Sequence, residues 1–167
     1  MLTATGIELR DLRPDDWPEV AAIHAACLRS GDVAFEREPA SWTRWTRSHY
    51  PEHRLVAVEE TRVVGWAALA PTSQHACYSG VAEDSVYVAP HAHGRGVGRA
   101  LLERLVRGAD EAGIWTVEAH VISENRASIA LHVACGFRIV GVRERIGRLR
   151  GEWRDVVLLE RRSPLVD

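Results

Sequence analysis

The chain has 167 residues, 46% of them hydrophobic and 26% charged, which is typical of one globular domain with a single core. The formal net charge of −2 disfavours binding to nucleic acid or to an anionic membrane. Three widely spaced cysteines, no signal-peptide pattern and no apolar run of about 20 residues predict a cytoplasmic protein that does not span a membrane.

Hydrophobic periodicity predicts alternating strands and helices in a single domain over residues 1–167. In chain order the predicted elements are strand 7–12, helix 13–30, helix 41–49, strands 54–59, 63–70 and 81–88, helix 96–111, strand 116–122, helix 125–135 and strands 137–142 and 156–160. The three-residue turn after residue 59 predicts an antiparallel hairpin. The order of the elements predicts a mixed α/β sheet flanked by helices.

A glycine-rich turn at 93–98 joins a predicted strand to a predicted helix. Glycines allow an anion to approach the backbone closely, and the first N–H groups of the helix lack a partner within it. The helix dipole adds partial positive charge at the same place. The pattern therefore predicts a phosphate or pyrophosphate site, with Arg95 and Arg99 as additional cations.

This turn has three other interpretations: a nucleoside-triphosphate P-loop, a dinucleotide-binding turn, and a turn that serves only packing. A nucleoside-triphosphate P-loop requires a lysine after the glycines, and the chain contains no lysine. A dinucleotide fold requires Gly-x-Gly-x-x-Gly; Gly94 and Gly96 fit, but Arg99 occupies the third position. Glu118 lies about 20 residues further on, as a ribose-binding acid would, yet the antiparallel-looking strands before the turn disfavour this fold. A turn shaped only for packing stays an open alternative.

The turn also resembles the CoA site of the GNAT acetyltransferase superfamily, which reads Gln/Arg-x-x-Gly-x-Gly/Ala. Residues 93–98 read His-Gly-Arg-Gly-Val-Gly, with His93 in place of the usual glutamine or arginine. The resemblance implies a mixed, mostly antiparallel GNAT-like sheet in which the strand before the turn splays from its neighbour and binds acetyl-CoA. The cofactor-binding residues that it implies are Val86, Tyr87, Val88, Gly94, Arg95, Gly96, Val97, Gly98, Arg99, Asn125 and Ser128.

A second similarity lies in the predicted helix 125–135. The superfamily carries an asparagine at the start of this helix and a polar aromatic residue four positions before Gly-Phe, and Asn125 and His132 occupy these positions. In relatives the asparagine contacts the pantetheine arm and the aromatic residue lies near the thiol. Asn125 is equally suited to cap the helix, and the two roles are compatible.

Three further motifs resemble one branch of the superfamily, the phosphinothricin and methionine sulfone or sulfoximine acetyltransferases. Residues 83–88 match Glu-x-Ser/Thr-Val-Tyr-Val, residues 33–39 match Val-x-Phe-x-x-Glu-Pro, and residues 151–155 match Gly-x-Trp-x-Asp. The branch implies a homodimer that acetylates the amino group of a small molecule or amino acid by direct transfer from acetyl-CoA. A protein N-terminal or lysine acetyltransferase and a non-catalytic acyl-CoA-binding module are the alternatives.

The branch has its catalytic glutamate at the position of Glu83, which predicts a general base that deprotonates the substrate ammonium. A solvated strand-end carboxylate is the alternative. Strand alternation directs Asp84 to the other face, so Asp84 is predicted to matter little for the reaction. Backbone N–H groups at 86–88 are expected to stabilise the oxyanion. His132 either protonates the leaving thiolate or only packs near CoA, and both interpretations stay open.

The acceptor site is less well defined by the sequence. The branch usually carries an arginine or lysine in the loop before the glutamate strand, near the carboxylate of the amino acid, but neither type occurs between Arg62 and Arg95. Phe35, Tyr78 and Trp153 are predicted to line a pocket that suits a less polar amine, with core or dimer contacts as the alternative.

No metal site is predicted. Four potential ligands are close together in the sequence, but no pair has the spacing of a structural zinc site. They are His75, Cys77, His91 and His93.

Overall fold

A computed structural model describes residues 6–166, which form one seven-stranded sheet and four α-helices. The strands are β1 Ile7–Asp11, β2 Arg54–Glu59, β3 Arg62–Pro71, β4 Val81–Val88, β5 Thr116–Ile122, β6 Arg138–Leu149 and β7 Glu152–Arg162. The helices are α1 Trp17–Ser30, α2 Trp42–Ser48, α3 Val97–Glu111 and α4 Arg126–Ala134. Within this part of the chain, no helix is long and apolar enough to cross a membrane.

The sheet has the strand order β1-β2-β3-β4-β5-β7-β6. Every neighbouring pair is antiparallel except β4 and β5, which are parallel. The predicted mixed, mostly antiparallel sheet is therefore confirmed. β4 has eight residues, but it pairs with β5 only from Val81 to Glu83. From Asp84 onward the two strands part and leave an opening in the middle of the sheet.

The helices cover the two faces of the sheet and fix the position of this opening. On one face, Leu101, Leu102 and Leu105 of α3 are fully buried, and each such side chain contributes about 1.5–3 kcal/mol of hydrophobic stabilisation. A Cβ at Gly65 of β3 would lie 3.0 Å from the Leu101 side chain, so α3 packs closely on the backbone there. On the other face, His24 of α1 contacts aromatic rings of β3 and β4.

The last two strands are much longer than the predicted strands 137–142 and 156–160. Their pairing shifts register twice, at 139–141 and at 143–147, and such bulges interrupt the alternation on which the prediction depended. The connecting turn contains Arg150 and Gly151, both with positive φ, as a tight two-residue hairpin requires. The long hairpin brings β6 back to the opening between β4 and β5.

Candidate active site

A cavity of about 1000 Å³ lies where β4 and β5 part. Its walls are β4, β5, the N-terminal ends of α3 and α4, the loop after α1, and β6. Near α3 the wall consists largely of backbone and small side chains. Near the point where the strands begin to part it carries glutamate and histidine side chains, and β6 adds two arginines to its wall. The cavity therefore has one end that suits a phosphate group and another end that carries titratable side chains.

The edge of β4 supplies backbone donors to this cavity. Beyond its third residue, no strand of the described chain pairs with the side of β4 that faces β5. Ala89 donates its N–H to Val64 on β3, so by alternation the N–H groups of Val86 and Val88 point toward the cavity. His93 donates from Nε2 to the carbonyl of Val88 at 2.8 Å. Free N–H groups on such an edge can pair with an extended amide chain or stabilise an oxyanion.

The glycine-rich turn has the geometry that an anion site requires. Gly94 and Gly96 have φ of +73° and +79°, values that residues with a side chain rarely adopt. The bond from Ala100 N to Gly96 O, 3.0 Å long, begins the helix, so the N–H groups of residues 97–99 have no acceptor within it. A Cβ at either glycine would meet no atom within 4 Å, so the space in front of the turn is open.

The two arginines of this segment differ in position. The guanidinium of Arg95 binds both carboxylate oxygens of Glu59 on β2 and does not reach the cavity wall. Glu59 competes for this guanidinium, so contact of the Arg95 side chain with a phosphate stays a prediction. Arg99 lines the cavity and binds Glu103 one turn further along α3, at 2.7 Å. Solvent-exposed pairs of this kind contribute little, so Arg99 can exchange Glu103 for another anion.

Helix α4 begins at the cavity wall. Asn125 accepts a hydrogen bond from the backbone N–H of Ser128 at 3.2 Å, which is the predicted N-cap. Both residues line the cavity. Contact of Asn125 or Ser128 with a ligand stays a prediction.

Tyr87 contributes a ring between β4 and α1. It stacks on Trp66 with ring centroids 4.7 Å apart, and it lies 4.5 Å from the ring of His24. Burial raises the pKa of Tyr87, so its hydroxyl is neutral at physiological pH. Tyr87 therefore fixes β4 against α1 beside the cavity.

Glu83 lies at the last β4–β5 pair, opposite Glu118. Its side chain is 41% exposed and lines the cavity. His120, two residues further along β5, has Nδ1 3.4 Å from Oε1 of Glu83 and Nε2 3.6 Å from Oε2 of Glu118. Partial burial raises the pKa of Glu83 against the opposing effect of His120, which favours proton acceptance near neutral pH. Sequence reasoning missed His120, although a histidine two residues after Glu118 in an apolar strand is an available signal.

Asp84 faces the opposite side of β4, as predicted, but that side is buried beneath α4. Oδ2 of Asp84 lies 2.9 Å from Nε2 of His132, and the two side chains are 2% and 4% exposed. Nδ1 of His132 donates to the carbonyl of Ser128 at 2.7 Å, so both ring nitrogens are occupied. Burial lowers the pKa of His132, but the hydrogen bond and the charge of Asp84 outweigh it and raise the pKa overall. Asp84 therefore fixes the structure beside the cavity, and its small effect on the rate of the reaction stays a prediction.

The part of the chain that forms this site matches a known protein family. The model of the Acetyltransferase (GNAT) family matches residues 8–137. The chain belongs to the GNAT acetyltransferase family. The glycine-rich turn at 93–98 and the parted strands β4 and β5 lie within the matched residues.

Individual relatives extend the match beyond the family model. Phosphinothricin N-acetyltransferase of Alcaligenes faecalis is 38% identical over 161 residues, 92% of this chain and 81% of that protein. The L-methionine sulfoximine/L-methionine sulfone acetyltransferase of Pseudomonas aeruginosa is 30% identical over 158 residues, 91% of this chain and 92% of that protein. A phosphinothricin acetyltransferase from Sinorhizobium meliloti, solved in complex with AcCoA, has a TM-score of 0.85 and 30% identity, covering 95% of this chain and 89% of that one. The predicted resemblance to this branch is confirmed.

The aromatic residues predicted to line the acceptor pocket of this GNAT protein divide into two groups. Phe35 lines the cavity, and its ring lies 2.6 Å from where a Cβ on Gly147 would be, so the loop after α1 packs directly on β6. Tyr78 and Trp153 do not line the cavity, and both are about half exposed. For these two, contact with the acceptor stays a prediction, with core or dimer contacts as the alternative. Tyr78 is the last residue of a short 3-10 turn on the surface, and Trp153 lies under the guanidinium of Arg148 at 4.2 Å.

Two arginines of β6 supply the positive charge that was not found in the loop before β4. Arg143 and Arg148 both line the cavity. Arg143 lies opposite Val156, which lies opposite Ile122, so Arg143 is on the same sheet face as His120. Within residues 6–166 the guanidinium of Arg143 has no ion pair or hydrogen bond. No motif marked these arginines, because only the long bulged hairpin brings them to the cavity.

Proposed function

We propose that the protein is an acetyl-CoA-dependent N-acetyltransferase of small-molecule amines, of the phosphinothricin and methionine sulfone type. The observation that carries this proposal is Glu83, a carboxylate of raised pKa at one end of a cavity whose other end is a glycine-rich helix N-terminus. Backbone N–H groups on the edge of β4 lie between the two ends. The names of the relatives, and the AcCoA bound to one of them, support the same activity.

Each step of the proposed reaction is assigned to particular groups in the cavity. Acetyl-CoA supplies the acetyl group as a thioester. Glu83 accepts a proton from the substrate ammonium, directly or through one water, and the resulting amine becomes nucleophilic. The N–H groups of Val86 and Val88 stabilise the negative charge that develops on the thioester oxygen. The turn at residues 94–99 binds the pyrophosphate. No covalent intermediate on the enzyme is needed.

For His132 the contacts favour packing over proton donation. The carbonyl of Ser128 requires a proton on Nδ1, and Asp84 holds Nε2 in a buried pair. A proton given from Nε2 to a thiolate would leave the Asp84 carboxylate buried without its partner. We therefore assign to His132 the task of fixing α4 against β4, with the thiolate protonated from solvent.

A thermal-shift experiment tests the acetyl-CoA site. Acetyl-CoA is expected to raise the Tm of the protein, because a ligand that binds only the native state stabilises it. Gly96→Glu is expected to abolish this shift, since it adds bulk and negative charge in the open space before α3. Gly113→Glu is a matched control: Gly113 also has φ of +79° and open space, but it follows the far end of α3.

The two variants share the same backbone strain, so they separate loss of stability from loss of binding. Gly113→Glu is expected to lower the Tm of the free protein but to keep the acetyl-CoA shift. No shift in the unmodified protein at millimolar acetyl-CoA would contradict the proposed function. An equal shift in both variants would contradict the assignment of the pyrophosphate to this turn.

For the acceptor we propose an amino acid or close analogue, bound by its carboxylate to Arg143. This cation has no partner among the described residues and lies on the face that carries Glu83 and His120, so a zwitterion can extend from one to the other. In a turnover screen with acetyl-CoA, amino acids and their sulfone and phosphinic analogues are expected to react better than their methyl esters or amides. Arg143→Met is expected to remove this preference, by raising KM for the acids about 10–100-fold, whereas Arg145→Met, on the same strand but outside the cavity, is expected to retain it.

We also propose that the chain works as a homodimer in the cytoplasm. β6 is an edge strand that exposes Ile139, Val140 and Val142, and an apolar edge of this kind favours a covering partner. The three cysteines are free, as a reducing compartment allows. Sedimentation velocity at micromolar concentration measures the state of association, and a single monomeric species would contradict the dimer.

A further inference from the structure

The imidazole of His120 lies between two carboxylates at the point where the parallel strands part. Glu83 and Glu118 form the last pair of β4 with β5, and His120 is the next residue of β5 on the same face. Its ring nitrogens lie 3.4 Å and 3.6 Å from the two carboxylates. Its side chain is 29% exposed and lines the cavity.

The surroundings of this cluster make His120 the basic group nearest to Glu83. In residues 6–166 no other basic side chain forms an ion pair with Glu83. Asp84 on β4 and Glu36 on the loop after α1 add negative charge near it. On the neighbouring β7, Leu158 lies opposite His120, and Glu160 opposite Glu118 is paired with Arg138.

A general base must be restored after each turnover. When Glu83 takes a proton from the ammonium, an N–H bond of the substrate breaks and an O–H bond forms on the carboxyl group. Glu83 must lose that proton before it can act again, and the acids around it disfavour a second negative charge in the cavity. An adjacent imidazole that is free to accept a proton removes this obstacle.

We propose that His120 is the positioning residue of Glu83, which orients its carboxylate and receives its proton after the ammonium has been deprotonated. The proposal rests on Glu83 as the base of the proposed function. With Nε2–H directed to Glu118, Nδ1 is the accepting atom. The O–H bond of Glu83 breaks, an N–H bond forms on His120, and an imidazolium remains between two carboxylates. Its exposed edge then releases the proton to water.

Turnover of one working amine across pH tests this role. His120→Gln keeps a polar side chain of similar reach but cannot carry a proton. It is expected to lower kcat about 10–100-fold, less than the loss of Glu83 itself, and to leave KM for acetyl-CoA unchanged. Added imidazole is expected to restore part of the rate in His120→Ala, which a merely structural role would not allow. His75→Gln, on an exposed histidine outside the cavity, is expected to behave as the unmodified protein.

A titration of the Glu83 carboxyl group by NMR tests the same contact without turnover. His120 lowers the pKa of Glu83, so removal of its ring is expected to raise the titration midpoint of Glu83 in His120→Gln, and in His120→Asn if the first variant does not fold. His75→Gln is expected to leave the midpoint where it is. An unchanged midpoint and an unchanged kcat in the His120 variants would overturn the proposal. If Glu83→Gln is inactive while His120→Gln is fully active, the proposed function survives and only the role of His120 fails.

Discussion

Replacing Glu83 with glutamine is expected to slow the acetylation of an amine by about 10²–10⁴-fold at pH 7. Glutamine keeps nearly the same shape but cannot accept the proton of the ammonium. Because burial raises the pKa of Glu83, the rate of the unmodified enzyme is expected to fall as pH decreases through that pKa. The difference between the two enzymes is expected to shrink at high pH, where more of the substrate is already a free amine. The deciding measurement is a pH–rate profile of kcat/KM for both.

The acetyl-CoA thermal shift of Glu83→Gln is the control for its loss of rate. This shift is expected to match that of the unmodified protein, because Glu83 lies at the opposite end of the cavity from the turn at 94–98. A normal rate at pH 7 would show that Glu83 is only a strand-end carboxylate. His120 would then be the next candidate, since His75 lies outside the cavity and both nitrogens of His132 are occupied.

The sequence predicted the fold best where pattern and pairing agree. β4, β5 and α3 have the predicted bounds to within one residue. Gly80 and Pro90 flank β4, and Gly96 and Gly113 flank α3, so local breakers mark the ends of these two elements. β6 and β7 were predicted too short, because two register shifts break their alternation. Arg143 and Arg148 were therefore not recognised as cavity residues, because only the full hairpin brings them to the cavity.

The candidate site was predictable where local geometry decides and unpredictable where distant segments meet. A glycine turn before a helix is a local pattern, so the residues themselves predicted that the first N–H groups of the helix lack an acceptor. The partner of Arg95 lies 36 residues earlier in the chain, and the partner of Asp84 lies 48 residues later. Alternation gave the correct face for Asp84, but it carried no information about which helix would cover that face.

The buried pair of Asp84 and His132 gives the largest expected effect on stability. Asp84→Ala leaves an imidazolium buried without its carboxylate, and the loss of one partner from such a pair costs about 3–5 kcal/mol. The pKa of His132 is raised in the folded state, so its stabilising contribution is fully present below its unfolded pKa of about 6.5. The contribution is lost as pH rises through the raised, folded pKa. The cost of Asp84→Ala is therefore expected to be greatest near pH 6 and to decrease at higher pH.

Urea unfolding at a series of pH values measures this dependence, and Asp110→Ala provides a matched control. Asp110 is also buried and binds Arg161 at 2.8 Å through both oxygens. Burial raises the pKa of Asp110, but hydrogen bonds from Arg161 and Ser163 lower it overall, so its contribution is present above the usual range of aspartate and is lost only in acid. Between pH 6 and pH 9 neither charge of that pair changes, so the cost of Asp110→Ala is expected to stay constant. If the cost of Asp84→Ala were equally constant over this range, His132 would not be changing its charge beside Asp84.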